Sequence, residues 1–364
     1  MKGFLRKAAA VLLIAVMAVA MLAGCSKSGG KNVNAGGSGS MFGILKESTQ
    51  LKKKTFDCDI TANVEGTSAK IKLSGVSDGN ATSLSAEVSA GGMSFKFDNA
   101  IIFTDDVVYI NVASVMDEVG SFASAMMGGS FDLKEFGVTS DWVSFKAEGM
   151  FKQDTSFFET ISKDLDEAYA GIITEKDGTY SITVSDKDSV QALIDATKKL
   201  LDDNSDSWAK LLAEKANSID TEKVVNGFVD DVADAIVKAL EEATGEKLSE
   251  DDIKELKEAM LEGTDMSDFD EKMDEESYKE LFDELKEQIK DAEGEALDGT
   301  VDLRTSYEKG VYTIKANIEP NAGEENITMV STVKEDSSAK VEIPSDTQSL
   351  VDIIAMFFMT AYAN

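Results

Sequence analysis

Residues 55–64 read TFDCDITANV. Phe56, Cys58, Ile60, Ala62 and Val64 alternate with Asp57, Asp59, Thr61 and Asn63. A period of two puts the first set on one face of a strand and the second on the other. This segment is therefore a strand with one apolar and one wet face. The same rhythm returns in Ala69, Ile71 and Leu73, in Leu84, Ala86 and Val88, in Met93, Phe95 and Phe97, and in Val108, Ile110 and Val112. Between these runs stand Gly66, Asp78-Gly79, Gly91-Gly92 and Asp105-Asp106. Asp78-Gly79 reads as a type I′ hairpin turn, which needs positive φ. Connections this short cannot join parallel strands, so the sheet is an antiparallel meander.

One face of that meander is apolar throughout and needs a cover. Before it, Phe42, Leu45 and Leu51 space out a short helix within Met41–Lys54. After it, Val115, Met116, Val119, Phe122, Ala123 and Met126 share one helical face, which Gly128-Gly129 ends. Trp142, Ser144 and Lys146 oppose Val143 and Phe145 in a further strand. Ser156 with Glu159 forms a capping box that opens a helix to Ala168. Ile172, Ile173, Tyr180, Ile182 and Val184 return to strand across Asp177-Gly178.

From Asp186 to about Glu295 the period is helical. Val190, Leu193, Ile194, Leu200 and Leu201 keep it, as do Val225, Phe228, Val232, Ala235 and Ile236. Ser249 and Asp252 can cap each other ahead of Ile253, and Leu248 can staple onto Ile253. Tyr278, Leu281, Phe282, Leu285 and Ile289 form a last stripe. The segment holds most of the chain's excess acid and reads as about four or five amphipathic helices. Alternation then resumes through Val301, Leu303, Thr305 and Tyr307, through Tyr312, Ile314, Ala316 and Ile318, through Ile327, Met329, Ser331 and Val333, and at Val341 and Ile343. The simplest account makes these strands finish the first sheet, with the helices as an insertion. Two domains in series are the alternative. Leu350–Ala363 is apolar except for Asp352 and Thr360. It is too short to span a bilayer and reads as a buried helix on the apolar sheet face, capped by Ser345 and Gln348, with an interfacial tail as the other reading.

The 364 residues carry 36 basic and 68 acidic side chains, a formal charge of −32. That excludes nucleic acid and bare anionic lipid as partners. It suits cations, basic proteins or neutral apolar molecules, and above all solubility. With no histidine, the Ser-His-Asp and Cys-His machineries are absent, and so is the commonest zinc ligand. Asp202, Asn204 and Asp206 have the first EF-hand spacings, but Ser207 and Ala213 stand where the loop needs Gly and Glu. Asp265, Asp268, Asp270 and Glu271 read as a solvated acidic face. Ser207/Lys210, Ser331/Lys334 and Ser337/Lys340 fit S-x-x-K without its companion elements. No P-loop, dinucleotide fingerprint or other cofactor motif appears. The expectation is a protein without catalysis, metal or cofactor. Of the two cysteines, Cys58 reads as a buried small hydrophobe.

Lys2, Arg6 and Lys7 precede an uncharged run from Ala8 to Ala23, and Leu22-Ala23-Gly24-Cys25 closes it. This layout resembles a bacterial lipoprotein signal. An uncleaved anchor helix is the other reading. The resemblance implies removal of residues 1–24, a diacylglyceryl group on Cys25, and attachment to the extracytoplasmic face of a cell membrane. Ser26–Ser40, SKSGGKNVNAGGSGS, cannot order itself and would reach roughly 20 Å on average as a tether.

The short first helix, the one-faced meander, its helical cover and the lipid anchor together resemble the LolA-like half-barrel lipoproteins. That group includes periplasmic lipoprotein carriers and mycobacterial glycolipid-binding lipoproteins. Phrases such as Val107-Val108-Tyr109-Ile110-Asn111 and Asp141-Trp142-Val143 carry the likeness in pattern, over 41–185 and 297–343. It implies an α+β fold with a curved antiparallel half-barrel, begun over 41–185 and completed with a C-terminal helix over 297–364; the acidic helical insertion read at 186–296 departs from the compact family shape. It also implies an acyl chain held between sheet and helices. Met93, Phe95, Met116, Val119, Phe122, Met126 and Met127 are the candidate lining of such a site, because methionine adapts to apolar ligands. A plain core accounts for the same residues. Work through the acidic helices on a basic protein is the alternative function.

Overall fold

The computed structural model describes residues 39–64, 67–127, 133–147, 156–218, 221–263, 274–291, 299–320 and 326–362. The signal-like segment with Leu22, Ala23, Gly24 and Cys25, the tether up to residue 38, Gly66, Gly128-Gly129 and the acidic group at 265–271 lie outside these residues. The chain divides into two units. One takes Met1–Lys96, Lys152–Ala213 and Asp274–Val341, and the other takes Phe97–Phe151, Glu214–Met273 and Glu342–Asn364.

The first unit begins with helix α1 (Met41–Gln50). Ser40 caps it, its Oγ accepting the Gly43 N–H at 3.1 Å. Asp166 completes the cap, accepting from Ser40 Oγ at 2.6 Å and from the Phe42 N–H at 3.0 Å. A carboxylate placed there answers the exposed N–H groups and positive end of the helix. Strands β1 (Lys54–Val64), β2 (Thr67–Ser77) and β3 (Ala81–Ala90) follow. Strand β4 (Met93–Thr104) starts in this unit and continues in the other. After β5 (Val107–Asn111), helix α2 (Val112–Met127) and β6 (Trp142–Lys146), the chain returns with helix α3 (Ser156–Tyr169). Strands β7 (Thr174–Lys176) and β8 (Thr179–Val184) lead into helix α4 (Lys187–Ser218). Helices α5 (Thr221–Thr244) and α6 (Glu250–Gly263) belong to the second unit. Helix α7 (Glu275–Asp291) and strands β9 (Gly299–Glu308), β10 (Val311–Pro320) and β11 (Asn326–Glu335) complete the first. Strand β12 (Gln348–Ser349) and helix α8 (Leu350–Tyr362) end the chain in the second unit.

In the first unit the strands run β3-β2-β1-β11-β10-β9-β8-β7, every neighbour antiparallel. Strand β1 has β2 on one side and β11 on the other, so the C-terminal strands finish the sheet begun before the helices. The sheet is unclosed, and the expected class, α+β with a half-barrel-like antiparallel sheet covered by helices, is the class observed. Asp177-Gly178 and Lys309-Gly310 take positive φ at both positions, as type I′ turns require. At β2–β3 only Gly79 does, with φ of 89°. The turn is therefore centred on Gly79-Asn80 with glycine first, the II′ arrangement, in place of the expected I′.

Helices α1, α3, α4 and α7 share one core with the sheet. Met41, Phe42, Ile44 and Leu45 meet Ile161, Leu165, Tyr169, Ile194, Leu201, Trp208 and Phe282 there. The Phe42 and Tyr169 rings lie 5.9 Å apart. Trp208 packs on Phe282 and donates its indole N–H to Asp164 at 2.8 Å. Leu281, expected on the inner stripe of α7, is exposed. It sits next to Phe282, which points inward, and one helix position turns the side chain by roughly 100°.

In the second unit β5 pairs with β4 and β6, and β12 adds to β6 in parallel. Asn99, with φ of 45°, stands between half-buried Phe95 and Phe97 and buried Ile102, where the inward parity of β4 switches from odd to even. Helix α8 lays Val351, Ile354 and Ala355 against Phe228, Val232 and Ile236 of α5. Met356, Phe357 and Phe358 are exposed. The expected fully buried helix on the sheet is thus a half-covered helix that packs mainly on α5, with β6 beside it. Its start is capped by Ser349, whose Oγ accepts the Val351 N–H, rather than by Ser345 or Gln348. Gln348 instead bridges Thr139 N–H and Gly137 O. Val341 and Ile343 lie outside any strand.

Candidate functional site

The registers of β1, β2, β3, β11, β10, β9 and β8 align one apolar row across the first unit. It runs Val88, Ile71, Ile60, Met329, Ala316, Leu303, Ile182. Side chains directly opposite in a sheet share a face, so this row is the inner face from edge to edge. Its cover is uneven. Val88 is 37% exposed and Ile71 39%, while Met329 is 7% and Leu303 3%. The next row, Ala90, Ala69, Ala62, Ile327, Ile318, Val301, Val184, repeats the pattern. Ala90 is exposed and Val184 buried.

Gly91 and Gly92, with φ of 58° and 85°, make a two-residue turn that carries this face from Ala90 to Met93, which is 51% exposed. Alternation puts half-buried Phe95 on the same side. The apolar face is buried over most of β8–β11, and Leu73 of β2 and Leu84 of β3 pack against the same core; exposure is confined to the end of β2, β3 and β4 that carries Ile71, Val88 and Met93. Met93 and Phe95, expected to line a ligand site, fall at this open end.

The other expected lining residues belong to the second unit. Met116 is half-buried on α2, its Cε 3.2 Å from where a Cβ on Gly120 would stand, and Val119 is exposed. The side chains of Phe122, Met126 and Met127 are outside the described residues. Ile71 and Val88 were not singled out by sequence, since their alternation is the same as that of buried Cys58. The signal available was the small-residue end of the hairpins, Ala69 and Ala90 beside Gly91-Gly92.

Polar groups on the inner face lie at its covered end. Ser331, beside Cys58, donates to Asp57 O, and Thr305 donates to Met41 O at 3.3 Å. Burial pushes the Cys58 thiol up, partly offset by Ser331, and Asp59 pushes it up further. Burial likewise raises the Tyr312 phenol, with Glu47, Tyr307 and Glu335 adding to the effect. Lys54, buried, donates to Thr49 O at 3.2 Å and Ser48 O at 3.5 Å, the last carbonyls of α1.

The sequence patterns for other chemistry are accounted for by the fold. Asp202 and Asp206 lie on α4 and pair with Lys286 and Lys279 of α7, while Asn204 donates to Leu200 O within the helix. Ser331 and Lys334 are three apart in β11 and so point to opposite faces. Among the described residues no group of three or more acidic or cysteine side chains is placed to hold a metal ion. No described helix is long and apolar enough to cross a membrane. Comparison of the chain with protein-family models, with curated proteins and with solved structures gave no match.

Proposed function

We propose that this protein is a lipid-anchored, extracytoplasmic lipoprotein that binds an apolar or lipid ligand without catalysing a reaction on it. The observation that carries the reading is the uncovered end of the inner sheet face, where Ile71, Val88 and Met93 stay exposed beside a continuation of the same rows that passes through half-buried Ile60 and Ala316 to buried Met329, Leu303 and Ile182. An apolar surface that is continuous with a core, and open at one end, suits an acyl chain entering between strands and helices. The LolA-like resemblance points the same way. Cys25 supplies the anchor in this reading, and the acidic surface keeps the exported domain soluble.

Two measurements test it. Cells given labelled palmitate should incorporate label into the chain and lose it in Cys25→Ala. The purified protein should show a native mass above its denatured mass, with the difference extractable into organic solvent and reduced in Ile71→Gln/Val88→Gln. A bare protein that also ignores added fatty acid and phospholipid would overturn the ligand role. Exposed Leu281, on acidic α7, favours a second reading. In it a basic protein docks on the helices, and its binding would weaken as salt is raised.

A further inference from the structure

The open end of the inner sheet face has bounds in both directions. Across the strands, exposed Met93 of β4, Val88 of β3 and Ile71 of β2 lead to Ile60 of β1, which is half-buried and packs against the core. The next residue in that row, Met329 of β11, is buried. Neighbouring strands stand about 4.8 Å apart, so the run from β4 to β1 is roughly 14 Å long.

Along the strands the opening is narrow. Leu73, two residues from Ile71, and Leu84, four from Val88, pack against the core. Beyond Leu84 and Ala86, β3 offers only Val88 and Ala90 to this face before the Gly91-Gly92 turn. Alternate residues of a strand are roughly 7 Å apart. A groove between two rows at that spacing takes one alkyl chain, because carbon atoms in contact stand about 4 Å apart.

The chemistry of the face is uniform. Neither the row from Val88 to Ile182 nor the row from Ala90 to Val184 holds a polar side chain. The nearest hydroxyls in the covered part, Ser331 and Thr305, already donate to Asp57 O and Met41 O. A polar headgroup therefore stays outside and only hydrocarbon enters. A second copy fits the face poorly. At roughly 200 Å² per large side chain, Ile71, Val88 and Met93 leave about 250 Å² open, against the 800 Å² or so that a stable protein contact takes from each side. It would also bring two chains of charge −32 together.

An extended alkyl chain advances roughly 1.25 Å per carbon, the projection of a carbon–carbon bond of about 1.5 Å. We infer that this site takes the tail of a single-chain amphiphile and measures its length, holding about ten to twelve carbons between β4 and β1 and stopping at Met329. The inference rests on the ligand reading above and narrows it. A longer tail leaves its excess in water or has to displace the core.

The test measures binding of saturated monoacylglycerols to the full chain carrying Cys25→Ala, by displacement of a dansyl-labelled undecanoic acid. Affinity should tighten about two- to fourfold per added methylene up to about twelve carbons, then level off through about eighteen. Ala62→Leu, which fills the β1 end of the groove, should move the break to about four carbons fewer, one strand spacing. Met329→Ala should move it about as far the other way. Affinity that keeps rising with length, or a break that neither variant moves, would overturn the inference and leave the ligand role standing. No binding at any length would overturn both. A doubled native mass abolished by Ile71→Gln/Val88→Gln would overturn it in favour of a second copy.

Discussion

Gly75 has no room for a side chain. A Cβ there would collide with the Phe56 ring, which lies across the strand, and with Ser83 O. Gly75→Ala should therefore destabilise the first unit by about 1–3 kcal/mol, the usual cost of overpacking, read as a lower urea midpoint. Cys58 is two residues along from that ring and 4% exposed. Its raised pKa keeps it a thiol at neutral pH, and only the thiolate is nucleophilic. Iodoacetamide at about pH 7.5 should leave Cys58 unmodified in the native protein and modify it in urea, as peptide masses would show. Tyr312 and Tyr169 are raised chiefly by burial. Below the ordinary phenol value of about 10 both states keep the proton and the folded state loses nothing. Above it the unfolded chain ionises first, so stability should fall as pH rises past about 10. Sequence showed Cys58 and Tyr312 as inward, because alternation fixes the face. It could not show Gly75 as a contact, since the register that brings Phe56 opposite is a property of two strands.

At the level of elements, the β2–β3 turn does more than reverse the chain. Asp78 Oδ1 accepts from Asn80 N–H and Ala81 N–H, and its Oδ2 accepts from Val341 N–H at 3.1 Å. Lys53 Nζ reaches Ala339 O at 3.3 Å. Burial alone would raise the Asp78 carboxyl, but these N–H groups and Lys53 bring it below the ordinary value. A lowered pKa stabilises the fold above the unfolded value and ceases to do so as pH falls through the folded one. Asp78→Ala should cost about 1–2 kcal/mol at neutral pH, discounted for its exposure to water. That difference should shrink as the carboxylates titrate at low pH, which a urea series at several pH values would show. Dipeptides such as Lys309-Gly310 announced their turns, because φ above zero is a local demand. The Ser249–Asp252 cap was legible too, and forms with Asp252 N–H on Ser249 Oγ at 3.2 Å. The latch from Asp78 to Val341 was not, as it spans 263 residues. Nor could the apolar count of α8 say which half of it would be covered.

For the molecule as a whole, charge sets the response to salt. Lysines of the acidic helices are engaged close by, as Lys279 is with Glu275 and Lys286 with Asp202, so what remains at the surface is mutual repulsion of acids. Raising salt from about 0.01 to 0.15 M shortens the screening length from about 30 to 8 Å. The melting temperature should rise over that range, against the usual weakening of isolated surface pairs. The fold class and the two-sided placement of the sheet strands around the helices were legible because each strand's period is carried in its own residues. The open end of the apolar face was not, since cover depends on where helices stop in space.

The pairing of β1 with β11 carries a consequence in time. Residues 54–63 wait for partners at 326–335. A growing or translocating chain therefore holds β1, β2 and β3 ready long before that neighbour exists. Meanwhile β1 offers an unsatisfied row of peptide groups to any other strand it meets. Such long-range closure makes folding slow. A chain stopped after Pro320 should aggregate or fall to protease, while the whole chain at equal concentration stays soluble. For a chain exported as proposed, that edge stays open until roughly the last tenth of the sequence arrives.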